Sequence, residues 1–175
     1  MPDSNDNPDA AYYAAMAAED AFGVVIRAGA YIDHELIKLL EATVPAPKAL
    51  KQVPLDYAGR CALAVALGLD ERFQSPLSAL GKIRNRLAHR PEASLSEEDA
   101  KNLYKALAGP ERTMVQDNFA KTLQNRGQKA RRFGDEPALD RFVMIAIVLR
   151  SALVVARTHV EHVRPMTPPR GRDDS

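Results

Sequence analysis

A chain of 175 residues, 46% of them hydrophobic, has enough apolar material for one domain with a substantial core and too little length for two ordinary ones. A formal net charge of +1 gives no whole-molecule attraction to nucleic acid, so any such contact must come from a local cluster. The single cysteine, Cys61, excludes an internal disulfide and a four-thiolate metal site within one chain, and a reducing cytosol is the simplest compartment.

Residues 1–9 are acidic and polar where an export signal needs basic residues and then an apolar core, so they read as a disordered leader to a domain spanning residues 10–164. From Ala10 an alanine-rich stretch runs into Phe22, Val25, Ile26, Ile32, Leu36, Leu39 and Leu40, which recur at helical intervals. Pro45-Ala46-Pro47 breaks that helix. A second helix is expected from Tyr57 to Leu67, capped by Asp56 and stopped by Gly68. Ser75-Pro76 then starts a helix in which Leu77, Leu80, Ile83 and Leu87 face one way, and Pro91 forbids much helix beyond Arg90.

Ser94 or Ser96 followed by Glu97, Glu98 and Asp99 signals another helix start, with the stop placed at Gly109-Pro110. Val115, Phe119 and Leu123 predict another turn or two of helix. The stretch from Asn125 to Glu136, holding Arg126, Lys129, Arg131 and Arg132 and almost nothing apolar, reads as an exposed loop with one aromatic, Phe133. Phe142, Ile145, Leu149, Ala156 and Val160 mark a long closing helix, which Arg150 keeps too polar for a membrane span. Residues 165–175 read as a disordered tail. With no alternating run to make a strand, the expectation is an all-α single-domain bundle of five or six helices, with no membrane contact.

One stretch concentrates chemistry. Arg84-Asn85-Arg86-Leu87-Ala88-His89 puts a cation, an amide and an imidazole at a helix end. Lys82, Asn85, Arg86 and His89 fall at i, i+3, i+4 and i+7 and form one polar stripe opposite the leucines. Arg84 lies about 140° round the helix from His89, so the two meet awkwardly within one chain and readily across a two-fold axis. Asp33, beside the apolar stripe of the first helix, is a candidate to hold Arg84; Glu35 reads as solvated. His159 and His162 have metal-binding spacing but no supporting donor set, so neither a metal nor a cofactor is expected. Cys61 reads as a small buried residue.

The Arg-Asn-x-x-x-His signature resembles that of the HEPN superfamily, small helical proteins with an arginine, a polar residue and a histidine at a helix end. The segments 56–69 and 28–36 are similar to those of its mannitol operon repressor-like branch, and together the three segments cover about the first half of the folded chain. The resemblance implies an HEPN-like bundle and, in many members, metal-independent RNA cleavage of toxin or defence type in a cleft shared by two protomers. Arg84, Asn85 and His89 would then be catalytic, with Lys82, Arg86 and Asp33 binding RNA or supporting them.

The residue types suit that chemistry, since imidazole moves protons near neutrality and guanidinium clamps phosphate. The repressor-like branch implies instead a non-enzymatic transcriptional regulator acting through DNA or a protein partner, although no basic recognition helix is visible. Scaffolding or neutralising a protein such as an antitoxin is a third role. A histidine in the last turn of a helix is also accounted for by the helix dipole alone. Fold and activity are therefore separate questions.

Overall fold

The computed structural model describes residues 20–90 and 92–163. The expected leader, residues 1–9, the start of the alanine-rich stretch, residues 10–19, and the expected tail, residues 165–175, lie outside the described residues. Within them the fold is all-α: α1 (Ala21–Thr43), α2 (Pro47–Leu50), α3 (Tyr57–Ala66), α4 (Gln74–His89), α5 (Glu97–Ala106), α6 (Gly109–Asn125) and α7 (Ala138–Val163), with 3-10 turns at Glu71–Phe73 and Phe133–Asp135. Six of these helices have ten residues or more, and the single turn α2 is the addition to the expected five or six.

Local chemistry explains the starts and stops. The Asp20 carboxylate accepts from the Gly23 amide at 2.8 Å and Asp56 from the Gly59 amide at 2.7 Å, satisfying donors that a helix start leaves open. Gly68 closes α3 with φ +110°, a left-handed conformation that costs a residue with a Cβ. Ser96 and Asp99 cap each other's backbone amides in a capping box that begins α5.

The bundle is built on α1 against α7, its most extensive pairing, with α3 and α4 packed on α1 and with α5 and α6 on α7. Val24, Val25, Ala28, Ile32, Leu36 and Leu40 of α1 meet Phe142, Ile145, Leu149 and Leu153 of α7 in one core. Burying each such Val, Ile, Leu or Phe side chain contributes about 1.5–3 kcal/mol. Leu77, Leu80, Ile83 and Leu87 root α4 in the same core, so the opposite face of α4 is left to solvent.

Two expectations are corrected and one is refined. Gly109-Pro110 opens a helix instead of ending one: α5 stops at Ala106, Leu107 is extended, and Pro110 sits in the first turn of the 17-residue α6, where a missing N–H leaves no bond unmade. The basic connection is the exposed loop expected, with Arg126, Lys129, Arg131 and Arg132 all exposed, but its end is anchored: Phe133 is buried against Tyr104 and Phe119, and Arg131 grips Glu136 through two hydrogen bonds. Glu35 is buried at 3% exposure, with Lys38, Arg150 and Arg157 around its carboxylate at 3.6, 3.8 and 3.5 Å. Three cations make that burial tolerable, and two of them come from α7, more than a hundred residues away.

Candidate functional site

The helix α4 carries the residues singled out from the sequence, and its exposed face arranges them in a row. Lys82, Asn85 and His89 are exposed, and Gln74 and Ser78 continue the row toward the helix start. The five positions follow helical spacing over about 22 Å. On one side a groove of about 670 Å³ runs between α4 and α5, with the acids Glu71 and Asp99 in its lining. On the other, a groove of about 360 Å³ lies between α3 and α4, lined by Asp56, Tyr57, Cys61, Gly81, Arg84 and Asn85. Gln74, Ser78 and Lys82 border both.

Arg84 departs from the row and enters the second groove. Its aliphatic stem crosses α1 at Gly29, where an added Cβ would lie 2.8 Å from the Arg84 Cγ, closer than atoms of this kind pack. Beyond that crossing, the guanidinium donates to the Asn85 Oδ1 at 2.8 Å. Arg84 is half-buried and has no carboxylate partner among the described residues. Every other described arginine that is buried or half-buried has one: Arg60 with Asp33, Arg86 with Asp99, Arg141 with Glu97, Arg150 with Glu35, and Arg157 with Glu35 and Glu161.

The expected role of Asp33 is corrected by the same inventory. Its two oxygens accept from Arg60 Nε and Nη2 at 2.7 and 2.8 Å, a bidentate pair that joins α1 to α3. Asp33 lies one turn beyond Gly29 on α1, level with α3, whereas Arg84 crosses at Gly29 itself. Arg86 is likewise committed elsewhere. It donates to Asp99 and to the Ser94 carbonyl, tying the end of α4 to the start of α5, and so it supports the loop and is not free for a ligand. Burial raises the Asp99 pKa, but hydrogen bonds from Ser96 and Arg86 outweigh it and hold the carboxyl below its ordinary value.

His89 stands exposed in the last turn of α4 and makes no hydrogen bond with the described residues. The chain therefore brings Arg84 and Asn85 together and leaves His89 apart from both guanidinium and groove. Asn85 has spent its carbonyl oxygen on Arg84, so its amide N–H groups remain available as donors.

Tyr57 forms the floor of the smaller groove. Its ring lies against Gly81, where any Cβ would overlap it, and its hydroxyl donates to the Leu77 carbonyl at 2.9 Å. Burial holds the phenol protonated far above its ordinary range. Burial also pushes the Cys61 thiol up to about 11, so neither group supplies a nucleophile at neutral pH. Gln74 and Ser78 were missed from the sequence. The spacing of Gln74 and Ser78 ahead of Lys82 carried a signal, as did Gly81 in mid-helix, where a glycine marks close approach by a neighbour.

Among the described residues no group of three or more His, Cys, Asp or Glu is placed to hold a metal ion, and no helix is long and apolar enough to cross a membrane. His159 and His162 are exposed on α7, and the Nδ1 of His162 lies 2.7 Å from the Thr158 carbonyl. Comparison with family models, with curated proteins and with solved structures gave no match.

Proposed function

We propose that the chain is a metal-independent endoribonuclease of the HEPN kind, acting as a homodimer in which Arg84 of one copy and His89 of a second flank one scissile phosphate. The observation that carries this reading is Arg84, a half-buried guanidinium aimed at a groove and left without a carboxylate when the other arginines of similar burial are neutralised. A cation so placed attracts an anion that offers two oxygens to its fork, as a carboxylate or a phosphate diester does. Lys82 adds charge on the same ridge, and the Asn85 amide adds a neutral donor.

A two-fold pairing of α4 with a second α4 brings an exposed His89 to the Arg84 that its own chain keeps from it. In that arrangement His89 takes the proton of the ribose 2′-hydroxyl as the oxygen attacks phosphorus. The bond from phosphorus to the 5′-oxygen then breaks, and His89 returns the proton to the departing oxygen. Arg84 and Asn85 hold the phosphate oxygens, whose negative charge grows as the fifth bond forms. The products are a 2′,3′-cyclic phosphate and a 5′-hydroxyl.

Incubation of single-stranded RNA with the purified protein in EDTA tests the proposal. Cleavage to cyclic-phosphate ends is expected, and His89→Ala abolishes it with the helical circular dichroism unchanged. Capture of DNA or of a protein partner that survives His89→Ala, with the RNA left intact, would replace this reading with the regulator role.

A further inference from the structure

We infer that the groove between α3 and α4 is a pocket for one nucleotide of a single-stranded RNA, and that Gln74 and Ser78 select its base. The inference rests on the nuclease reading for its ligand class, and on the groove itself for the rest.

At about 360 Å³ the groove is at the lower end of pockets that enclose small ligands, about 300–1,000 Å³. It has two chemically different ends. Arg84, Lys82 and Asn85 crowd one with donors, which suits phosphate oxygens. Gln74 and Ser78 border the other, two and one helical turns before Lys82. Both are exposed, and neither side chain makes a hydrogen bond with the described residues, so each offers a donor and an acceptor to an incoming group.

Base recognition by stacking needs an open aromatic face, and this groove has none. The only aromatic in its lining is Tyr57, whose ring is pressed on Gly81 and whose residue is 8% exposed. Stacking is tolerant of sequence, whereas hydrogen bonding to base edges is selective. A pocket that offers edges without a stacking face binds weakly and discriminates. Asp56 on the rim adds an acceptor, although one of its oxygens already receives the Gly59 amide.

Short 2′-O-methyl oligoribonucleotides of the four base types, which lack the attacking hydroxyl, separate this inference from the chemistry. Their affinities for the intact protein are read by fluorescence anisotropy. A spread of about tenfold or more is expected between best and worst, the factor that about 1.4 kcal/mol of edge hydrogen bonding supplies. In the Gln74→Ala/Ser78→Ala double variant the spread falls below about twofold. Gln74→Glu, an acceptor alone, moves the preference toward the bases with an exocyclic amino group, adenine, cytosine and guanine, and away from uracil, which has none.

Equal affinity for all four types in the wild-type protein overturns the inference, whether or not RNA is cleaved. So does a spread that survives the double variant, or tighter capture of acidic peptides than of any oligonucleotide. Selective binding without cleavage leaves the pocket standing and removes the nuclease reading.

Discussion

At Gly29 the missing side chain is what lets the Arg84 stem cross α1, and two opposed terms set what Gly29→Ala does. Alanine gains about 1 kcal/mol of helix propensity over glycine. Overpacking against the Arg84 Cγ costs about 1–3 kcal/mol. The substitution is therefore expected to be neutral or destabilising in the wild-type chain and to stabilise Arg84→Ala by about 1 kcal/mol, where only the Cβ remains near position 29. Urea unfolding of the four variants checks this, and the same sign in both backgrounds would contradict the seating of Arg84.

Cys61 gives a second test at this scale: with its thiol pushed up to about 11 by burial, it is expected to resist iodoacetamide at pH 8 in the native protein and to react in urea. Mass spectrometry reads the outcome. Cys61 was legible in the sequence because its neighbours Ala62, Leu63 and Ala64 share its apolar stretch. Asp33 was misassigned because a carboxylate beside an apolar stripe says only that a cation is wanted; whether Arg60 or Arg84 answers depends on which helix crosses α1 at that turn.

The element ends were the clearest part of the sequence, since caps act within four residues. Asp56, Gly68 and Ser96 with Asp99 all perform as read. Gly109-Pro110 carries the same dipeptide signal for a stop as for a start, and the apolar spacing of Val115, Phe119 and Leu123 decided for the start.

The junction of α4 with α5 has a pH signature. Asp99 titrates below its unfolded value, so its contribution to stability is complete above about pH 4 and is lost as pH falls through the folded pKa. Asp99→Asn is expected to lose that contribution already at pH 7 and to fall less steeply on acidification, which denaturant melts at pH 7 and pH 3 compare. Ser96→Ala, which removes the other half of the cap, is expected to cost about 1 kcal/mol. Between α1 and α7 the larger effect belongs to Glu35. Its removal leaves Arg150 and Arg157 around a buried gap, and Glu35→Ala is expected to cost about 3–5 kcal/mol in the same assay. A loss below about 1 kcal/mol would mean that the carboxylate is solvated after all.

For the whole molecule, periodicity made the all-α bundle legible, because each amphipathic stripe had to be buried against another. The anchoring of Phe133 and the burial of Glu35 were not legible, because both follow from where α7 returns to the bundle. The candidate site divides in the same way. The sequence placed a polar ridge on α4, and only the packed chain shows that Arg84 turns from that ridge into a groove while His89 stays outside.

That division is why the proposed nuclease needs two copies, and mixing two inactive variants tests the point directly. Arg84→Ala and His89→Ala are each expected to leave RNA uncut in EDTA. After unfolding and refolding together in equal amounts, half the dimers pair one variant with the other and one site of two is intact, so roughly a quarter of the wild-type activity returns. A mixture that stays inactive beside a cleaving wild-type protein, or single variants that cut as well as the wild type, would contradict a site shared between copies.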